Sequence, residues 1–239
     1  MRRRFFVEQF DGDRAVLEGE KAHHLGRVLR AQVGQVYEVS NGTRVRLGRI
    51  DSVAREQVEF VLLEEVPAFE PSLKVTLLLA VVKFDSFEWA IEKATELGVS
   101  EIMPLAAERS EKSLLAAAEK RSERWNKILI EAAQQSRRLR PPQLQAVTCV
   151  AQAFAGRKNQ FGLFLSERSA AQPLRLVLQS VAIRATTLAI GPEGGWTDSE
   201  FDLAQAAGFY EASLGRLILR TETAVVTALA SLSYALGEQ

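Results

Sequence analysis

Two stretches towards the carboxyl end of the chain carry the residue types and spacings that could do chemistry. The first is Ala189-Ile190-Gly191-Pro192-Glu193-Gly194-Gly195-Trp196-Thr197, and the second runs from Leu214-Gly215-Arg216-Leu217 through Ile218-Leu219-Arg220-Thr221 to Glu222-Thr223-Ala224. In the first, an apolar run from Thr187 to Ile190 stops at a glycine and a proline, and two more glycines follow. Thr197 with Glu200 has capping-box spacing, in which hydroxyl and carboxylate satisfy orphan amides at a helix start. The second stretch repeats the plan: Tyr210 to Leu214 reads as a strand, Gly215 breaks it, and Thr221 is placed to cap a helix from about Glu222. A strand feeding a Gly-rich turn and a helix is how α/β proteins build ligand crevices at the carboxyl ends of strands. Glycines there let a ligand approach the main chain, and equally serve tight turns. The dinucleotide and Walker spacings are both missing. The charged candidates beside these loops are Arg220, Arg109, Glu193 and Glu222. The two glutamates suit a helix N-terminus as well as a reaction, and Arg109 suits a surface pair with Glu108 or Glu111.

The elements that would position these residues begin at Leu73. Val75 to Val82 is a near-continuous apolar run, the pattern of a strand buried on both faces. Asp85 with Glu88 repeats the capping-box spacing, and Phe87, Ile91, Ala94 and Leu97 recur at helical intervals until Gly98. Val99 to Leu105 reads as the next strand, Ser113 to Arg138 as a long helix, and Leu144 to Val147, Phe161 to Leu165 and Thr186 to Ile190 as further strands. The last helix, Ala224 to Leu236, is apolar nearly all round and is expected to be buried on more than one side. Alternating strands and helices predict a parallel α/β sheet with covered faces.

Residues 1 to about 66 read differently. Arg4 to Gln9, Arg14 to Glu18, Gln35 to Ser40, Arg44 to Val53 and Val58 to Val66 are short strands, with Asn41-Gly42 as a hairpin signal. With a short helix from Glu20 to Arg30 they predict a small barrel. Lys21 to Arg49 holds six Lys/Arg against one acid, and Arg2, Arg3 and Arg4 add a basic tip. Arg44 and Arg46 alternate with Val45, which places them on one strand face. The set Arg2, Arg3, Arg4, Arg27, Arg30, Arg44 and Arg46 suits phosphate contact, and each arginine singly suits a solvated face. Pro67 to Ser72, with two prolines, marks the boundary between a domain of residues 1–69 and one of 73–239.

The chain has 239 residues and a formal net charge of zero, so any nucleic-acid partner must be held by a local patch. No apolar stretch is long enough to span a membrane, and no signal-peptide core follows the amino terminus. One cysteine, Cys149, and two histidines, His23 and His24, suggest neither a disulfide nor a metal cluster. The chain reads as soluble and intracellular.

Together, the two loops closely resemble the signature of the RsmE-type methyltransferases. These SPOUT-superfamily enzymes methylate the N3 position of a uridine in 16S ribosomal RNA, using S-adenosylmethionine. The resemblance extends over Lys83 to Ser110 and Glu131 to Arg138, and more weakly over His23 to Arg30, which is similar to the family's PUA-like domain. It implies an α/β fold: a trefoil-knotted parallel-sheet SPOUT domain behind a small PUA-like β-barrel that binds RNA. It further implies a cytoplasmic homodimer with its interface beside the cofactor site, acting on the small ribosomal subunit without a metal. By resemblance, S-adenosylmethionine is held by loops following Leu165, Ile190 and Leu214, with Gly191, Gly194, Gly195 and Leu219. Arg220, then Arg109, are the groups expected to face substrate or transition state, and no general base is assigned between Glu193 and Glu222. The chain departs from the family at Phe84 and Arg137, where glycine is usual, and at Leu217, where arginine is common. Three readings stay open beside it: another SPOUT reaction on transfer RNA or ribose, a non-catalytic RNA-binding protein, and, weakest, a nicotinamide dehydrogenase.

Overall fold

A computed structural model describes residues 3–157, 161–179 and 185–236, and the chain divides into two compact units. The first comprises Met1–Glu70 together with Ala133–Pro141, and the second Pro71–Ala132 with Pro142–Gln239. The first crossing falls within the predicted proline segment. The return of Ala133–Pro141 to the first unit ends at the Pro141-Pro142 pair, but the sequence does not show which unit the segment joins.

The first unit contains β1 (Arg4–Phe6), β2 (Phe10–Asp11), β3 (Arg14–Glu18), α1 (Gly19–His23), β4 (Val36–Ser40), β5 (Val45–Val53) and β6 (Gln57–Val66). They form one sheet in the order β1-β4-β5-β6-β3-β2, antiparallel except for the β1–β4 pair. Its outermost strands, β1 and β2, are consecutive in the chain and joined by only a few residues, so the sheet must curl. Phe5, Leu17, Leu25, Val39, Ile50, Val58 and Phe60 fill the concave side. The helix expected over 20–30 is instead one α turn followed by a π-helical turn, His24–Val28. Gly26 sits there with Val53 Cγ1 only 3.1 Å from where its Cβ would be.

In the second unit, β7 (Lys74–Ala80), β8 (Glu101–Ala106), β9 (Gln143–Leu144), β10 (Thr148–Cys149), β11 (Phe161–Leu165), β12 (Gln172–Pro173), β13 (Ala185–Ile190) and β14 (Phe209–Ser213) make a sheet. The order is β10-β8-β7-β13-β11-β14-β12 with β9 also on β8, and every pairing is parallel. Leu77, Leu79, Leu163 and Leu188 face one hydrophobic cluster, and Leu78, Ala80, Phe164 and Ala189 face another on the opposite side. Both faces of the central strands are therefore buried, which is why they read as continuous apolar runs. The helices are α2 (Phe84–Glu96), α3 (Lys112–Ala118), α4 (Ser122–Gln135), α5 (Val150–Ala155), α6 (Leu174–Leu178), α7 (Asp198–Ala206) and α8 (Thr221–Leu236).

Several local expectations are corrected. Asp85 does not cap α2, because Lys83 occupies the N-cap and makes no side-chain cap. Glu88 is instead buried and bonded to the Arg124 guanidinium at 2.8 Å. The helix expected over 113–138 is broken by a 3-10 turn, Glu119–Arg121. The strand expected over 144–147 is two short bridges, β9 and β10. Finally, α8 buries Val225, Ala228, Leu229 and Leu232 but leaves Ala230, Ser233 and Tyr234 exposed in the single chain.

Candidate cofactor and substrate site

The neighbouring strands β13, β11 and β14 end level with one another: Phe164 pairs with Ala189 on one side, and Leu165 with Ala212 on the other. Parallel strands that end level deliver their loops to one edge, so segments 166–171, 191–197 and 214–220 emerge side by side. The Ser166 amide donates to the Ala212 carbonyl at 3.0 Å and extends the ladder into the first loop. Thr221, expected to cap α8, is buried, and its hydroxyl donates to the Gly191 carbonyl at 3.1 Å. It ties the start of α8 to the first glycine loop.

The glycines of that loop are explained first by its own packing. A Cβ on Gly191 would lie 2.9 Å from Cε2 of Trp196, whose ring stacks on Phe164 with centroids 4.6 Å apart. The indole Nε1 donates to the Leu165 carbonyl at 2.9 Å, so Trp196 joins two of the three loops. Gly195 has φ +69°, a region where residues with a Cβ are strained, and a Cβ there would also meet Glu167 Oε1 at 2.9 Å. Gly194 faces Arg109 at ordinary contact distance.

Arg109 follows β8, yet its Nη1 donates to the Gly194 carbonyl at 2.8 Å. Beside it the Glu108 amide donates to Glu200 Oε1 at 2.9 Å, and Ser199 Oγ donates to Glu108 Oε2 at 3.3 Å. The capping box at Thr197 and Glu200 is present as the spacing predicts. Among the described residues, Glu193, Arg220 and Glu222 make no side-chain hydrogen bond or ion pair. Leu165 and Ile190 are buried at the strand ends, Leu214 and Leu219 are half-buried, and Leu217 and Ile218 are more than four-fifths exposed. Phe84 packs edge-on to Trp125, with the Arg121 guanidinium 4.5 Å above its ring.

The arginines of the first unit divide. Arg4 is not a surface group: its Nε and Nη2 donate to Glu38 Oε2 at 3.0 and 2.8 Å, Nη1 donates to the Arg137 carbonyl, and it is 3% exposed. Arg46 is committed as well, donating to the Leu63 and Leu62 carbonyls and pairing with Asp13 at 2.9 Å. The Arg4 guanidinium is therefore withdrawn from any phosphate, and that of Arg46 is engaged within its own unit, because a period-two pattern places a residue on a face without showing what that face packs against. Arg44 lies just before β5, exposed and 3.7 Å from Glu65. Arg27 and Arg30 are exposed on and after the π turn, beside the exposed Val28 and Val33, and Arg3 is half-buried. Arg2 lies outside the described residues. Sequence reasoning missed Trp196 and the second role of Glu200. The Thr197-to-Glu200 spacing signals a cap but cannot show what the other carboxylate oxygen reaches.

Among the described residues no group of three or more His, Cys, Asp or Glu could hold a metal ion, and no helix is long and apolar enough to cross a membrane.

Residues 69–233 match the family model for an RNA methyltransferase domain, and residues 17–63 that for an RNA methyltransferase PUA domain. The ribosomal RNA small subunit methyltransferase E of Synechocystis sp. is 36% identical over 231 residues, covering 95% of this chain and 75% of that protein. The crystal structure of the Neisseria gonorrhoeae ribosomal RNA small subunit methyltransferase E, bound to S-adenosyl methionine, superposes with a TM-score of 0.89 at 28% identity over 99% of both chains. A putative methyltransferase from Legionella pneumophila, in complex with the same cofactor, also gives 0.89, at 30% identity over the whole of both chains. A parallel sheet whose three adjacent strand ends are tied together at their loops, in a chain that also carries a curled β unit, thus has relatives along its full length, and the chain belongs to the RsmE family of RNA methyltransferases.

Proposed function

We propose that the chain transfers the methyl group of S-adenosylmethionine to N3 of a uridine in 16S ribosomal RNA of the small ribosomal subunit. The observation that carries this reading is the junction of three parallel strand ends, β13, β11 and β14, whose loops are joined by Trp196 and Thr221. The crevice suits the cofactor. Leu165, Ile190, Leu214 and Leu219 offer apolar contact to a flat, uncharged adenine, and the main chain around Gly191, Gly194 and Gly195 offers hydrogen-bonding groups at close approach. When bound, the cofactor supplies an electrophilic methyl on a sulfonium. The residues of the chain bind, orient and adjust charge, since displacement demands alignment above all.

A uridine N3 is a poor nucleophile until its proton leaves. Arg220 is exposed at the threshold of α8 and Arg109 is held against the glycine loop, so either guanidinium can favour the enolate by donating to a ring carbonyl. Arg109 uses one N–H on Gly194 and keeps others for a substrate. The N3 proton passes to solvent or to one of Glu193 and Glu222, whose carboxylates have no side-chain partner among the described residues. The RNA surface is assigned to Arg27, Arg30 and Arg44 with Arg3. The protein works as a homodimer in the cytoplasm, and the outward side of α8 is the face a second copy covers, beside the cofactor loops.

Methyl transfer from labelled S-adenosylmethionine to assembled small subunits, naked 16S rRNA and bulk transfer RNA tests the reading, with mass spectrometry to identify the nucleoside. N3-methyluridine in 16S rRNA is expected. Label in transfer RNA or on a ribose would move the activity to another branch of the superfamily, and absence of cofactor binding would leave a pure RNA binder. Arg220→Ala is expected to lower kcat by roughly 100-fold, the scale of losing one donor to developing charge, with cofactor affinity retained.

A further inference from the structure

Glu200 carries more than a helix cap. A capping box needs one carboxylate oxygen, and Oε2 meets that need by accepting from the Thr197 amide at 2.9 Å and its hydroxyl at 3.2 Å. The other oxygen, Oε1, accepts from the Glu108 amide at 2.9 Å, 92 residues away in sequence. The loops concerned follow β8 and β13, which are not neighbours, because β7 lies between them. The carboxylate therefore spans the end of an intervening strand. It is only 3% exposed and, among the described residues, has no cationic partner, whereas a capping glutamate at a surface helix start stays wet. Immediately beyond the anchored Glu108 amide, the Arg109 guanidinium crosses to the same loop at Gly194. One main-chain contact and one side-chain contact thus place Arg109 on the glycine loop.

We propose that Glu200 is a positioning residue for methyl transfer: by holding the Glu108 amide, it sets where the Arg109 guanidinium stands over the 191–197 loop. The proposal rests on the reading of Arg109 as a substrate-facing group. Glu200 touches neither substrate nor cofactor, and its effect passes through Arg109.

The test is a double-mutant cycle on the full chain with small subunits as substrate, reading kcat, cofactor Kd and Tm. Glu200→Asp keeps the charge and can still cap α7, but is one carbon too short to reach both amides. It is expected to lower kcat about tenfold, in keeping with the sensitivity of aligned reactions to small displacements, with cofactor Kd within roughly threefold. Arg109→Ala should lower kcat at least as far, and the double variant should be no worse than Arg109→Ala alone, because both remove the same contribution. Thr197→Val serves as a second variant. It loses the capping hydroxyl while the Glu200–Glu108 bridge remains, so it lowers Tm and any loss in kcat multiplies with that of Arg109→Ala. If Arg109→Ala is impaired while Glu200→Asp has full kcat, or if their losses multiply, the positioning role is overturned. Full kcat in Arg109→Ala would overturn the assignment of Arg109 itself, a separate failure visible without any change at Glu200.

Discussion

Gly191 shows how one residue can satisfy two demands at the cofactor edge. The missing side chain makes room for the Trp196 ring before it makes room for any ligand. Gly191→Ala would push the indole off Phe164 and away from the Leu165 carbonyl. We expect a stability loss of about 1–3 kcal/mol, the usual scale of overpacking, measured as a lower Tm together with weaker cofactor binding. The Arg4–Glu38 pair makes a second prediction at this scale. Both side chains are nearly inaccessible, and removing Arg4 leaves the buried Glu38 carboxylate, among the described residues, with only the half-exposed Arg137 guanidinium, 3.5 Å away. Arg4→Met should therefore cost about 1–3 kcal/mol in denaturant unfolding, less than a buried charge left with no partner, and without the reduced salt dependence that loss of a phosphate contact would give. Arg27→Ala with Arg30→Ala should do the reverse: Tm is kept, and the slope of log affinity for RNA against log salt falls by roughly 0.7 per arginine on a single strand. An unchanged slope would remove the π turn from the RNA surface. Burial lowers the Arg138 guanidinium to about 10, with Arg140 adding repulsion and Glu70 opposing both. Its folded value lies below its unfolded one, so the unfolded chain holds that proton more tightly. The penalty is fully present below pH 10 and is relieved as pH rises from there towards the ordinary arginine range.

At the scale of elements, the segment that ends α4 is the least expected feature. Ala133–Pro141 packs within the first unit, where Ser40 Oγ donates to the Leu139 carbonyl at 2.6 Å and Arg4 donates to the Arg137 carbonyl. Arg137 adopts φ 56°, which explains why glycine suits this position. A fragment of residues 1–70 lacks the partners of Arg4 and Ser40. It is expected to unfold with a broad, low transition by circular dichroism, and adding a peptide spanning 133–141 should raise its midpoint. A sharp, wild-type-like transition in the fragment alone would show that the segment contributes little. The elements around the crevice were far more legible. The ends of β11 and β13 and the start of α7 follow from apolar runs, glycine breaks and a capping box, all of which act within a few residues. The break of the 113–138 helix at Glu119–Arg121 was not legible, because helix propensity continues through it and tertiary packing decides.

For the whole molecule, the exposed side of α8 makes the strongest prediction. Tyr234 is 94% exposed on a helix whose sequence is apolar nearly all round. If the proposed homodimer forms through this face, Tyr234→Glu with Ala230→Glu should give a monomer in sedimentation velocity and weaken cofactor binding. A variant that stays dimeric would place the subunit contact elsewhere.

The sequence by itself determined the alternation of buried strands and helices, the two glycine loops, the Thr197–Glu200 cap and, through their resemblance, the family. These are written in contiguous residues, because periodicity, caps and turns are local interactions. Tertiary packing alone decides that Arg4 is withdrawn from solvent and Arg46 engaged by its own unit, that Trp196 and Thr221 join the loops, that Glu200 reaches Glu108, and that residues 133–141 complete the first unit. Each of those depends on which distant segment packs opposite. A side chain's own spacing shows the face it occupies, and only the folded chain supplies the partner that faces it.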